Sequence, residues 1–226
     1  MFSESDAPAR TKSERTRERI RQTALVSFRT RGYDETTIRG IAAEAGVSVG
    51  TTHYQFGSKN ALVQELYLEV QHAHRAAAEP LLAATDDLIE RLSIVYTTGL
   101  DQLTPYHEHA PEFLSAAVSP RSPINPLADE SAPAFAIVEG LFREAVEGAA
   151  DQLPEDFRAA LPHAFALGHL LLALFWVYDA SPGQARSRRL VERGLKLMRF
   201  ALPLTRVPLF RAPLRELLDL VAEVKS

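Results

Sequence analysis

Residues 36–59 read TTIRGIAAEAGVSVGTTHYQFGSK, and this stretch decides the fold class. Ile38, Ile41, Ala42 and Ala45 recur at helical spacing, and Thr36 and Thr37 stand where a helix start needs a cap. Gly46 ends that helix, because a residue without a Cβ accepts the left-handed backbone of a tight turn. Val47 reads as a buried turn residue, Ser48 as the cap of a further helix over about 49–55, and Phe56-Gly57 as its end. Two short helices held at a fixed angle by Ile41, Ala42, Val47 and Phe56 describe a helix-turn-helix. The second helix then presents Ser48, Thr51, Tyr54 and Gln55, groups suited to base edges and phosphates, and its free amino-terminal N–H groups suit a phosphate.

Outward from this stretch the chain reads as helices. Upstream, Thr11 and Glu14 have capping-box spacing, and Ile20, Ala24 and Phe28 form one stripe, predicting a helix over 12–31 that stops at Gly32. Downstream, Ser58 caps a long helix carrying Leu62, Leu66 and Val70, with Pro80 as the first clear breaker. Helices are expected over 81–103, 111–118, 133–149, 154–178, 183–202 and 208–224, with a proline-rich loop over 119–133 and Pro162 lying awkwardly inside its helix. No β-branched alternation appears, so the expectation is an all-α chain. A three-helix head occupies 1–57 and a helical body 58–226.

Composition narrows the function classes. The 226 residues are 46% apolar and 24% charged, ordinary for a globular protein, and the absence of cysteine excludes a disulfide frame, a thiolate nucleophile and a Cys-ligated metal. Net charge is −4, but residues 1–60 carry +3, and Arg10–Arg31 alone carries +6. A local basic face is the footprint of a phosphate-binding protein, although a solvated helix face reads the same way. Met1–Arg31 lacks the apolar core of an export signal, and the apolar run Ala164–Tyr178 is shorter than the roughly 18 residues of a membrane span. The cytoplasm and no membrane partner are the expectation.

The whole stretch Thr36–Lys59, with the preceding Ala24-x-x-x-Phe28-x-x-x-Gly32-Tyr33, closely resembles the signature of tetracycline-repressor-type (TetR-family) regulators over about residues 14–74, with the motif at 37–56. The resemblance implies a DNA-binding head and a body that binds an effector and dimerises through two late helices packed as a four-helix bundle. Pro154–Tyr178 and Gly183–Leu202 are the candidates, with Arg186, Arg188, Arg189 and Arg193 toward the rim. It also implies that Thr37 and Arg39 approach the phosphate backbone, that Gly50 and Thr51 lie on the recognition helix, that Tyr54 touches DNA and that Lys59 contacts phosphate. Val47, Ser48, Val49, His53 and Gln55 complete the implied DNA-contacting set. Two positions depart from the family: Thr52 stands where leucine is usual, and His53 where tyrosine is usual. An imidazolium at 53 facing phosphate would make the contact pH-sensitive.

Other constellations carry less. Gly46-Val-Ser-Val-Gly50 spells the G-x-S-x-G nucleophile elbow, but that turn must follow a strand. His72/His74 and His107/His109 are spaced two apart, which points them to different faces of a helix, so no metal is expected. His163 and His169 read as satisfied core histidines. Tyr106, His107, Phe113, Phe135, His169 and Trp176 are the candidates for an apolar effector pocket, with ordinary core packing as the competing reading. No cofactor is expected. The functional expectation is a homodimeric repressor of a palindromic operator in double-stranded DNA, released by a small apolar or amphipathic effector. An activator, a ligand-independent regulator, a helical carrier or enzyme, and a protein-binding scaffold are the alternatives.

Overall fold

Thr11, Thr37, Ser48 and Ser58 each stand one residue before a helix, and each side chain accepts the backbone N–H three residues on. A cap of this kind contributes about 1 kcal/mol. The four caps start α1 (Lys12–Arg31), α2 (Ile38–Glu44), α3 (Val49–Phe56) and α4 (Lys59–Leu82). Asp87 does the same for α5 (Leu88–Leu103). Then follow α6 (Ala110–Ala117), α7 (Ala132–Glu147), α8 (Glu155–Val177), α9 (Ala185–Ala201) and α10 (Pro208–Ala222), with short 3-10 turns at Thr104–His109, Asp129–Ser131, Pro182–Gln184 and Leu202–Arg206. A computed structural model describes residues 11–151 and 153–223; among the described residues there is no strand, and the fold is all-α.

Two hydrophobic clusters organise these helices. In the first, Ile20, Ala24, Phe28, Ile41 and Phe56 pack with Leu62, Val63 and Leu66 of α4, and also with Ala117 and Ile124 from beyond the head. In the second, Leu92 and Val95 of α5, Leu141 and Phe142 of α7, and Phe165, Ala166 and Trp176 of α8 form the body core, joined by Ala78 and Leu82 from the far end of α4. Helix α4 therefore belongs to both clusters. The head core crosses the division expected at residue 57.

Several expected boundaries move. Pro80 does not break α4, which runs two residues further to Leu82. Leu82 is buried in the body core and its carbonyl accepts from the buried Arg91 guanidinium, which holds the last turn. The helix expected from 81 starts instead at Leu88, after a turn whose Thr85 and Asp87 bind neighbouring backbone N–H groups. Pro162 is buried two turns inside α8, and the helix continues through it. Residues 1–10 of the expected export-free terminus, and the expected helix end at Val224, lie outside the described residues.

Helix α8 is 23 residues, and by length and composition it could cross a membrane, so the fifteen-residue apolar run understated it. Its Phe157, Leu161, Phe165, Ala166, Leu172 and Trp176 are packed into the body core. The helix is not buried on every side: Leu171, Leu174 and Phe175, and Tyr178 just after it, are exposed.

Candidate nucleic-acid interface

The turn between α2 and α3 is built from few atoms. Gly46 has φ of 63°, which a side chain would penalise, and Val47 donates its N–H to the Ala42 carbonyl at 3.0 Å. Ile41, Ala42, Ala45 and Phe56 are buried beneath it. Thr52 is fully buried too, with its hydroxyl donating to the Ser48 carbonyl at 3.3 Å, so the smaller anchor at this position is still satisfied. The Ser48 Oγ accepts the Thr51 N–H at 3.0 Å and pairs with the Thr51 hydroxyl at 2.8 Å. Ser48 is a helix cap after a helix and a turn, which is not the setting of a nucleophile elbow.

The DNA-contacting candidates fall into two groups. Thr37, Arg39, Ser48, Val49, Gly50, His53 and Tyr54 are exposed, Tyr54 at 85%. Val47, Thr51, Gln55 and Lys59 are half-buried and partly engaged. Gln55 Nε2 donates to Ser13 Oγ of α1 at 3.1 Å. Lys59 Nζ donates to the Tyr33 carbonyl at 2.7 Å and lies 3.7 Å above the Tyr33 ring centre. Burial pulls the Lys59 ammonium below its ordinary pKa, against Asp34 and Glu112, which hold it up. His53 Nδ1 stands 2.9 Å from the Gly57 carbonyl, and since a carbonyl only accepts, this nitrogen donates.

The basic first helix is less free than its charge suggested. Arg17 donates to the Gln55 carbonyl, lies 4.0 Å over the Phe56 ring and pairs with Glu65. Arg21 pairs with Glu18 and Glu69, and Arg31 with Glu44. These arginines bind the head to itself and to α4. The signal was present in the spacing: Arg17 and Arg21 repeat four apart, as do Glu65 and Glu69.

The effector candidates do not converge. Tyr106 and Phe113 join the head cluster, Phe113 meeting Phe28 and Tyr33 edge-on at 5.7 Å each. His107 stands against Trp176, ring centres 4.7 Å apart, with Nε2 3.1 Å from the Trp176 carbonyl. Phe135 packs in the body core beside His163. His169 stacks on His74 at 5.5 Å, and its buried Nδ1 has no partner, so it is a core histidine but not a satisfied one. Burial, aided by His74, pushes its pKa down to about 3. An open cleft of about 900 Å³ around Arg91, and another of about 520 Å³ between α1 and α4, are lined by none of the six. Among the described residues no cluster of three metal-ligating side chains forms.

Head and body are also joined by contacts the sequence did not announce. Glu112 of α6 accepts the Asp34 N–H at 2.9 Å, next to Gly32 at the end of α1, and its other oxygen meets His109. The Asp34 hydrogen bond leads in holding the Glu112 carboxyl below its usual range, against a smaller opposing effect of burial.

Two family models match this chain: one for bacterial regulatory proteins of the tetR family over residues 20–66, and one for the tetracycline repressor-like C-terminal domain over residues 91–224. The chain belongs to the TetR family. The second match covers most of the helical body, beyond the stretch that carries the resemblance. The fold has solved TetR counterparts. The TetR transcriptional regulator from Nitrosomonas europaea aligns at 18% identity over 81% of this chain and 97% of its own, with a TM-score of 0.59. Thermus thermophilus FadR, a TetR-family repressor solved in complex with lauroyl-CoA, aligns at 24% identity over 79% and 92%, with a TM-score of 0.55. The fatty acid degradation regulator FadR from Bacillus halodurans aligns at 18% identity over 86% and 96%, with a TM-score of 0.56. No curated protein is a recognisable sequence match. This TetR-family chain is a transcriptional regulator with a helix-turn-helix DNA-binding domain.

Proposed function

We propose that the chain is a homodimeric repressor that binds a palindromic operator in double-stranded DNA and releases it when a small apolar or amphipathic effector occupies the body. The observation that carries this reading is the outward presentation of α3. Tyr54 and Val49 face solvent while Ile41, Ala42, Thr52 and Phe56 fix the helix from beneath. Thr37, Arg39, Ser48, His53 and Lys59 serve the phosphates. Val49, Gly50, Thr51 and Tyr54 serve the bases, and Val47 and Gln55 steady the helix.

Support for a second copy comes from the late helices. Leu171, Leu174 and Phe175 of α8 share one face by spacing with Tyr178 just after it, and Leu190, Leu197 and Phe200 of α9 are exposed as well. A symmetric dimer that covers these faces would bind half-sites about one helical turn apart, roughly 34–36 Å, or somewhat more where the DNA is deformed. Release follows from α4 lying in both cores and Glu112 gripping the head. An effector with higher affinity for one head spacing shifts the equilibrium, and a near-complete shift takes about 5 kcal/mol of differential affinity. His107, Phe135, His169 and Trp176 stand in the body where such a ligand would act, and Tyr106 and Phe113 at the junction that would feel it. The lauroyl-CoA held by the Thermus regulator supports an amphipathic effector class. The compartment is that of the DNA, the cytoplasm.

The test is a gel shift of the purified chain against the duplex flanking its own coding region, with its mass in solution measured alongside. A dimer with a salt-dependent preference for one palindrome is expected, together with an affinity change from some member of a broad small-molecule panel. A strict monomer, or no sequence preference at low ionic strength, overturns the reading.

A further inference from the structure

Each base offers the major groove a different partner. Guanine takes two donors from Arg or Lys, adenine takes the amide of Asn or Gln, and thymine offers a C5 methyl group for apolar contact. Helix α3, VGTTHYQF, contains no Arg, Lys or Asn. Its one amide, Gln55, is half-buried and bound to Ser13 of α1. Thr52 and Phe56 face the core. His53 spends its Nδ1–H on the Gly57 carbonyl, which leaves Nε2 as the one ring nitrogen open to another partner. The hydroxyl of the half-buried Thr51 is paired with Ser48. The cations on either side are not on the reading face: Arg39 is on α2, and Lys59 is tethered to Tyr33.

What remains outward is Val49, 42% exposed, bare Gly50 and Tyr54, 85% exposed, whose ring carries a hydroxyl at its far edge, with the half-buried Thr51 beside them. Gly50 sits between the apolar groups and adds no side chain that would hold the backbone off the base pairs. We infer that α3 reads its half-site chiefly through thymine C5 methyl groups, contacted by Val49, Thr51 and Tyr54, rather than through the hydrogen-bonding edges of guanine or adenine. The inference rests on the operator-binding reading above and names what that site recognises. Phosphate contacts on either side of this reading face then supply affinity that is blind to sequence.

The experiment uses the full chain and the tightest duplex enriched from a random pool. Each thymine of the half-site is replaced by deoxyuridine, which lacks only the methyl, singly and then together. A contacted thymine should lose about four-fold in affinity, the weight of one buried methyl, and replacements outside the half-site should lose nothing. Val49→Ala and Tyr54→Ala alter exposed side chains and should leave the fold intact, verified by unchanged thermal unfolding. Each should bind the thymine and uracil duplexes equally at its own position, a coupling that a general loss of affinity does not produce. Uracil throughout the half-site with affinity within two-fold, while the enriched duplex still outcompetes random DNA, overturns the inference and leaves the regulator reading standing. A half-site specified by guanines overturns it in the same way. If no sequence outcompetes random duplex, the regulator reading falls and this inference with it.

Discussion

In the head every helix start is capped by a Ser or Thr one residue away, whereas the starts of α6 to α10 have no such adjacent side-chain cap among the described residues. The body meets its free helix ends from a distance. Arg91, buried on α5, donates to the carbonyls of Leu82 and Thr85 after α4, and of Glu144 and Ala145 at the end of α7. Asp179 accepts the N–H and hydroxyl of Ser187 in the first turn of α9, eight residues away, and those of Ser181 as well. The head is therefore held by many small independent contributions, and the body by a few groups each serving several elements. Damage should be graded in the first and abrupt in the second.

Arg91→Met breaks the comparison most sharply. It keeps the volume and removes every donor to four carbonyls at two helix ends, for an expected loss of about 3–4 kcal/mol in urea unfolding. A loss below about 1 kcal/mol would show that the body ends its helices as locally as the head does. Asp179→Ala comes next, at about 2–3 kcal/mol near neutral pH, since charge-assisted hydrogen bonds are lost at the α8–α9 corner. Burial would raise this carboxyl, but the Ser181 and Ser187 hydrogen bonds outweigh it and hold its pKa well below the ordinary value. Its stabilisation is thus present above about pH 4 and lost as pH falls below that, where the unfolded chain takes up the proton first. The gap between wild type and variant should narrow in acid; a gap constant from pH 7 to pH 3 contradicts the assignment.

The same contrast explains what could be read from the sequence. A cap and the N–H it serves are three residues apart, so the head's helix starts were visible at Thr11, Thr37, Ser48 and Ser58, and α1 to α3 fall within a residue of expectation. Asp87 carries a like signal, but the leucines around it continue the helical pattern and mask it. Arg91 could not be read, because its partners lie up to 54 residues away in the chain. Which residues lie on and around the motif is legible in the sequence, but how their side chains are engaged is not. Gln55 and Lys59 look free in a one-dimensional reading and are tied to Ser13 and Tyr33. Tyr106 and Phe113 look like body residues by position and pack into the head core, because Thr104–His109 and α6 fold back against α1.

That fold-back makes the junction the place where the two regimes meet, and Gly32 tests it. Its φ of 75° disfavours any side chain, and a Cβ there would collide with the Glu112 carboxylate. Gly32→Ala should cost about 2 kcal/mol, the left-handed backbone and the displaced Glu112 together. Glu112→Gln leaves the glycine alone and weakens the charged acceptor that meets the Asp34 N–H and His109, so it should cost less than about 1 kcal/mol. Equal losses in thermal unfolding would mean that the backbone strain is negligible and the head–body contact is everything.

The smallest effects belong to the surface of the head, and there Arg39 and Lys59 separate two kinds of cation. Arg39 is exposed with no partner among the described residues, so Arg39→Ala should leave stability within about 0.5 kcal/mol. Its expected effect is on DNA alone: the log–log slope of affinity against salt should shrink by about one. Lys59 has one of its three N–H donors on the Tyr33 carbonyl and its charge over the Tyr33 ring. Two donors remain for a phosphate, so Lys59→Ala should shrink the same slope by about one and also cost about 0.5–1 kcal/mol of stability. A stability loss with an unchanged salt slope would move Lys59 out of the interface and into the set of tethers with Arg17 and Arg21. In that case the head would hold still more of its positive charge for itself, and Arg39 with the α3 amino terminus would carry a larger share of the phosphate contact.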